Sequence, residues 1–340
     1  MKNNLPLISV VLPVYNCGSY ISEAIESILS QTISDFELLI IDDASQDDTV
    51  SQVEAFEDKR IRLIKKTVNK GLIDSLNLGF SLAKGKYIAR MDGDDISLRN
   101  RFEKQLAILE NNQDIKAVGC WLQFFGNENK VLKHFEYHSQ IQAQLLNSCP
   151  MSLGSVLLEK EAFKKFKFDK DKLHVEDYDF WSRSAWECEF YNIPEFLYLY
   201  RVHGNQVSSK YRKIQLAGSI KIKLELYKKL SYNCEKFPDH LLIRLFFKKE
   251  IKNALDFKFL EKWFRTLLKK NSKDRVFENT EFKKHIKQVR KMIIYHIFFL
   301  NPDSRISFNQ RLKILSMLKW DEINFVLRRK FRKRTRSLKE

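Results

Sequence analysis

The chain is poor in residues that break or staple a backbone. Of 340 residues only ten are glycine and six proline, which excludes collagen-like and low-complexity architectures. Its five cysteines (Cys17, Cys120, Cys149, Cys188, Cys234) are scattered, odd in number and form no C-x-x-C pair. A disulfide framework and a thiolate zinc site are therefore not expected, and a reducing compartment fits best. Long hydrophobic runs are also missing. The longest in the C-terminal part, Met292 to Leu300, contains His296 and is less than half of the roughly 20 residues a spanning helix needs. The N-terminal run from Leu5 to Val14 holds two prolines and no small-residue cleavage site, so neither a signal peptide nor a transmembrane helix is expected. Phosphate-cradling glycine loops are absent too: neither G-x-G-x-x-G nor G-x-x-x-x-G-K-[ST] occurs.

Acidic residues are scarce in one region only. The net charge is +17, but residues 1–210 carry −5 and residues 211–340 carry +22. The sequence reads as an acidic N-terminal unit joined to a basic C-terminal one, and each needs its own account.

What the first unit does contain is an alternation of short apolar runs and helical patterns. Leu7 to Leu12, ended by Pro13, reads as a strand buried on both faces, followed by a helix with Ile21, Ala24, Ile25 and Ile28 at helical spacing. Phe36 to Ile41, Ile61 to Ile64 and Lys86 to Met91 read as further strands. Leu72, Leu76, Phe80 and Ala83, then Phe102, Leu106 and Leu109, mark helices. Such alternation predicts an α/β fold with a mostly parallel sheet covered by helices, in which ligands bind at the carboxyl ends of strands.

Three polar clusters sit at such ends: Pro13 to Asn16, Asp42-Asp43-Ala44-Ser45, and Asp92-Gly93-Asp94-Asp95. With no glycine-rich loop to hold phosphates, the carboxylates point to a hard divalent cation clamping a phosphorylated substrate. Each cluster also has a plain structural reading, Asp-Gly-Asp as a solvated turn and Asp42-Asp43 as a helix cap. A further cluster, Val175 to Trp181 with Glu176, Asp177 and Asp179, reads either as the acidic first turn of an amphipathic helix or as the seat of a general base.

The runs SVVLPVYN, FELLIIDDASQDDT, NKGLIDSLNLGFSLAKGKYIARMDGDD, HVEDYDFWSR and YRVHGNQVS, in that order, resemble family 2 glycosyltransferases of the GT-A fold over roughly residues 6–210. The resemblance is to the kind that builds bacterial cell-surface glycans. It implies transfer of a sugar from a nucleotide diphosphate sugar, UDP-linked in most members, to an acceptor hydroxyl with inversion. By position it puts Pro13 and Tyr15 beside the base and Asp43 on it. Asp92 and Asp94 fall on the D-x-D, whose first carboxylate lies near the ribose, with Arg90 and Asp95 as neighbours in the donor site. Asp94, with Asp92 and His203, falls where Mn²⁺ or Mg²⁺ binds. Asp177 falls on the catalytic base, with Glu176 as its rival, and His203 has a structural role as its alternative. Neither the Q-x-x-R-W motif of processive members nor their transmembrane helices are found, which favours single addition. A nucleotide-sugar half of about 1–113 and an acceptor half of about 114–210 are expected. Within the acceptor half, Trp121, Phe124, Phe125, Trp181 and Trp186 serve either as sugar platforms or, more commonly, as core.

From residue 211 the pattern is helical, with Phe247, Ile251, Leu255, Phe259 and Trp263 at spacing four, Leu312, Leu315 and Leu318 in a last helix, and a cationic end, LRRKFRKRTRSLKE. The surplus charge suits an anionic membrane surface better than nucleic acid, for which no recognition motif accompanies it. The expectation is a cytoplasmic enzyme, peripheral on the inner face of the cell membrane, acting on a glycan or glycolipid acceptor in lipopolysaccharide, capsule or related synthesis. The alternatives are a non-catalytic nucleotide-sugar or glycan-binding module, and a polyanion-binding protein acting through the basic region.

Overall fold

The computed structural model describes residues 5–204, 211–300 and 306–327. They divide into two compact units, Met1–Lys223 and Leu224–Glu340.

The first unit is built on a nine-stranded sheet. β1 (Ile8–Val14), β2 (Phe36–Asp42), β3 (Ile61–Lys65) and β4 (Tyr87–Arg90) form a parallel set in the order β3-β2-β1-β4. The sheet continues through β8 (Leu157–Glu159), β6 (Ile115–Gly126), β9 (Glu189–Val202) and β5 (Ile96–Ser97), while β7 (Val131–Leu132) pairs with β6. β8 is antiparallel to both its neighbours, but the long β6–β9 pairing is parallel. Every residue of β1 is buried, as its β-branched run requires of a central strand covered on both faces. The helix α1 (Gly18–Leu29) covers it with Ile21, Ala24, Ile25 and Ile28. α2 (Thr49–Glu54), α3 (Leu72–Leu82), α4 (Arg101–Asn111), α5 (His138–Gln144), α6 (Lys160–Phe163) and α7 (Glu176–Ser184) follow.

Two local expectations are corrected. Pro13 does not end β1; the strand runs on to Val14, paired with Asp42. The peptide groups of Val11 and Pro13 point toward β4, because the Val11 carbonyl accepts from Met91 N, whereas the Val14 carbonyl accepts from Asp43 N on the β2 side. The β1–β4 ladder ends at Val11 and Arg90, so the missing N–H of Pro13 falls where no partner strand remains. In α3 the buried positions are Ile73, Ser75, Leu76 and Gly79, while Leu72 and Phe80 are half-buried. Gly79 is needed there, since a Cβ would lie 2.4 Å from Val11 Cγ1.

Beyond residue 211 the described residues contain helices and no strand. The expected series at spacing four is interrupted. Phe247 ends a π-turn (Ile243–Phe247), and Asn253 caps a new helix, Ala254–Asp274, by accepting from the N–H groups of Leu255 and Asp256. Leu255 is exposed, and the buried face carries Phe257, Leu260, Trp263, Phe264 and Leu267. In the helix Phe308–Leu315 the buried residue is Ile314 rather than Leu312, and Leu318 is buried beyond its end. The second unit also buries polar groups in pairs: Tyr227 Oη lies 2.8 Å from His285 Nε2, and Arg290 bridges Glu261 and Glu322. Most of the cationic end, residues 328–340, lies outside the described residues.

Candidate active site

The carboxyl ends of β1 and β2 are stitched to each other. The N–H groups of Asn16, Cys17 and Gly18 donate to Ser45 Oγ (2.9 Å), Thr49 Oγ1 (2.7 Å) and Asp47 Oδ2 (3.0 Å). Asn16 and Ala44 both take positive φ (51° and 62°), which Asn tolerates and Ala adopts only under constraint. The resulting ledge leaves Tyr15 46% exposed and Pro13 buried within β1. Asp43 is 4% exposed. Its Oδ1 accepts from Lys66 Nζ and Lys70 N, both at 3.0 Å, and its Oδ2 from Gly71 N at 2.7 Å. Burial opposes the charged form, but the Lys70, Lys66 and Gly71 donors outweigh it and hold the carboxyl below its usual range. Oδ2 keeps one acceptor position for a ligand.

After β4 the chain turns through Asp92 to Asp95. Buried Arg90 pairs with Asp92, while Asp92 N donates to Tyr198 Oη at 3.3 Å. Asp95 is fully buried; it accepts from Tyr198 Oη at 2.8 Å and Arg201 N at 2.7 Å. Asp95 thus ties the loop to β9. Burial, with Asp92 and Asp94 adding to it, pushes its carboxyl well above the ordinary value. Asp94 is left facing outward, one-quarter exposed, with Oδ2 2.9 Å from His203 Nε2. Arg201 donates from Nε to the Asp94 carbonyl and from Nη2 to Glu23, both at 2.8 Å. Its guanidinium lies over the rings of Tyr20 and Phe125, at 4.8 and 4.4 Å.

The turn Leu153–Ser155 closes on the same cluster. A Cβ on Gly154 would lie 2.7 Å from Asp92 Oδ2, 2.9 Å from Arg90 Nη1 and 2.9 Å from Tyr198 Oη, so only glycine admits this approach. Glu176 and Asp177 open α7, whose N-terminus favours negative charge. Asp177 Oδ1 accepts from Tyr178 N at 2.6 Å, and its Oδ2 takes a 3.5 Å contact from the Cys149 thiol. Glu176 Oε2 is buried without a protein partner. Burial, reinforced by Asp177, raises Glu176 to about 7, and burial also raises Asp177. Arg90 acts electrostatically on both, and Asp177 on Asp92, so the strand-end cluster and α7 face one another.

A divalent cation fits this donor set. Asp94 and His203 offer a carboxylate oxygen and an imidazole nitrogen side by side and partly open, while Asp92 is engaged by Arg90. Among the described residues no set of three or more His, Cys, Asp or Glu side chains forms a full protein cage. Of the aromatic candidates, Trp181 is fully buried among Phe163, Phe180 and Phe190. Trp121 donates to the His134 carbonyl and packs on Phe196, Phe124 lies against Tyr200, Phe125 under Arg201, and Trp186 donates to the Ser182 carbonyl. Sequence reasoning did not single out Tyr198, Arg201, Cys149 or Gly154. Only Arg201 carried a signal, two positions before His203.

The sequence profile described as Glycosyl transferase family 2 matches residues 9–182. The chain belongs to this family. An uncharacterized glycosyltransferase of Haemophilus influenzae is 38% identical over 237 residues, covering 65% of this chain and 73% of that protein. The Escherichia coli protein named UDP-Glc:alpha-D-GlcNAc-diphosphoundecaprenol beta-1,3-glucosyltransferase WfgD is 33% identical over 175 residues, 52% of this chain and 68% of its own. Two solved structures share the fold. Staphylococcus aureus TarS 1–349 in complex with UDP-GlcNAc has a TM-score of 0.55 at 15% identity, over 85% of this chain and 91% of that one. The mannosyltransferase PcManGT of Pyrobaculum calidifontis, in complex with GDP-Man and Mn²⁺, has 0.52 at 15%, over 86% and 88%. The family 2 protein is a glycosyltransferase with a GT-A α/β fold, as its motifs implied.

Proposed function

We propose that this family 2 protein transfers a sugar from a nucleotide diphosphate sugar, UDP-linked, to a hydroxyl of a lipid-linked glycan, inverting the anomeric carbon, in synthesis of lipopolysaccharide, capsule or another surface polysaccharide. The observation that carries the reading is the convergence of Asp94 and His203 with the Arg90–Asp92 pair and the partly buried Glu176–Asp177 pair of α7. In it Pro13 and Tyr15 border the base, and Asp43 accepts a base N–H through its remaining Oδ2 position. Asp92, braced by Arg90, meets the ribose. Asp94 and His203 hold Mn²⁺ or Mg²⁺, which when bound stabilises the negative charge that builds on the departing diphosphate. Asp177 takes the proton of the acceptor hydroxyl, a poor nucleophile until that proton is removed. Its two oxygens are oriented by Tyr178 N and the Cys149 thiol, each keeping an acceptor position.

One observation favours Glu176 as the base instead: its buried oxygen lacks a protein partner, and burial lifts its carboxyl to about 7, where a base is half ready at neutral pH. The basic region, with its +22, brings the enzyme to the anionic inner face of the membrane, where lipid-linked acceptors reside. The WfgD relative, whose name specifies such an acceptor, supports this. The test is nucleotide release from a panel of UDP-sugars with extracted lipid-linked glycan, with and without a chelator. Asp94→Asn and Asp177→Asn are each expected to lower kcat by at least about a hundredfold. Wild-type turnover in both variants would sink the assignment.

A further inference from the structure

The loop that carries Asp92 and Asp94 closes on itself with a long backbone bond, 3.5 Å from Asp95 N to the Asp92 carbonyl. Firmer restraints come from β9. Ile96 and Ser97 of β5 pair antiparallel with Leu199 and Tyr198, so the loop runs beside the carboxyl end of that strand. Three residues at or just past that end reach it, each by different groups. The Tyr198 hydroxyl donates its one proton to Asp95 Oδ2 at 2.8 Å and accepts from Asp92 N at 3.3 Å, so a single atom spans both ends of the loop. Arg201 donates from its backbone N to Asp95 Oδ1 at 2.7 Å and from Nε to the Asp94 carbonyl at 2.8 Å. His203 meets the Asp94 carboxylate itself.

β9 is a firm base for these contacts. β6 pairs with it as far as Gly126 and Val202, Tyr198 is 1% exposed, and Gly154 closes on the Tyr198 hydroxyl so tightly that a Cβ there would lie 2.9 Å away. One partner is enough to satisfy a buried tyrosine hydroxyl. This hydroxyl has two, at opposite ends of the segment that presents Asp94, and a second β9 side chain holds the Asp94 peptide between them.

We propose that Tyr198 and Arg201 are positioning residues for the metal site, fixing from β9 where Asp94 offers its carboxylate beside His203. The inference rests on the reading of Asp94 and His203 as metal ligands and adds what sets their geometry. Without the Tyr198 hydroxyl, Asp95 Oδ2 and Asp92 N lose their shared partner and the ends of the loop are free to separate. Without Arg201 Nε, the Asp94 peptide is free to turn the carboxylate away from His203. Ligands of this kind work only when held to within about 0.5 Å, so either release costs metal affinity.

The test is calorimetric titration of the full chain with UDP, once with Mn²⁺ and once with a chelator. The unaltered protein is expected to bind UDP more tightly with Mn²⁺. Tyr198→Phe and, separately, Arg201→Lys are each expected to lose at least about tenfold of that gain, while UDP affinity in chelator stays within about twofold of the unaltered protein. Tyr191→Phe removes a hydroxyl elsewhere on β9, one that donates to Glu136 at 2.6 Å, and is expected to keep the full gain. Thermal melts with and without UDP and Mn²⁺ read the same linkage in a variant of lower stability. A full Mn²⁺ gain in either Tyr198→Phe or Arg201→Lys, an equal loss in Tyr191→Phe, or failure of both loop variants to fold overturns the proposal and leaves the metal reading standing. UDP affinity indifferent to Mn²⁺ in the unaltered protein removes the metal reading, and the proposal falls with it.

Discussion

Glu176 and Asp177 are adjacent, partly buried carboxyl groups, and their surroundings push both upward. A carboxyl whose folded value exceeds its unfolded one costs stability above the unfolded value, with the full cost reached above the folded value. For Glu176 that window runs from about 4.5 to about 7. Glu176→Gln is therefore expected to stabilise the protein by on the order of 1–3 kcal/mol near pH 8 and by little near pH 4, measured by denaturant unfolding at both pH values. The same variant separates the two candidate bases. With Asp177 as base, removing its anionic neighbour lets Asp177 ionise more easily, so the acid limb of the kcat/KM profile moves to lower pH while turnover persists. With Glu176 as base, turnover is lost. Cys149 bears on this too, because burial and the Asp177 charge hold its thiol protonated and so fit to donate to Asp177.

At the scale of the element, the turn Leu153–Ser155 acts as a template for the loop after β4. Gly154→Ala would press a methyl into Asp92, Arg90 and Tyr198 at once, and the backbone there has little room to retreat because all three turn residues are buried. The expected result is a fall in kcat/KM of about ten- to a hundredfold with a stability loss of about 1–3 kcal/mol, read from donor-dependence kinetics and thermal melts side by side. Wild-type kinetics in that variant would show that the loop does not depend on the turn. The strands β1, β2 and β4 were legible because apolar runs covered on both faces leave few alternatives, and Asp43 and Asp92 followed as the residues just past the ends of β2 and β4. The fate of Asp95 was not legible. It sits in the acidic cluster by spacing, yet its carboxylate is claimed by Tyr198 and Arg201, more than a hundred positions later. Spacing four misled at Leu255 because the series runs across an interruption: Phe247 ends a π-turn, and Asn253 caps a new helix whose buried face begins at Ala254 and Phe257.

At the scale of the molecule, the second unit exposes Phe308 and Trp320, each 74% accessible, on a strongly basic chain, and the proposed docking to an anionic membrane would use both features. No helix among the described residues is long and apolar enough to cross a membrane. The protein is expected to sediment with phosphatidylglycerol vesicles, to leave neutral vesicles in the supernatant, and to lose the first interaction progressively as salt rises. Equal recovery on both vesicle types would remove the electrostatic account. Arg201 carries a different consequence, for heredity. One guanidinium joins Glu23 of α1, the Asp94 carbonyl and the rings of Tyr20 and Phe125, so the effect of a substitution at Glu23, Tyr20 or Phe125 is expected to depend on the other two. A change tolerated at Glu23 in one lineage can be disabling in another that differs only at Phe125, and the order in which such substitutions arise decides which sequences can be reached.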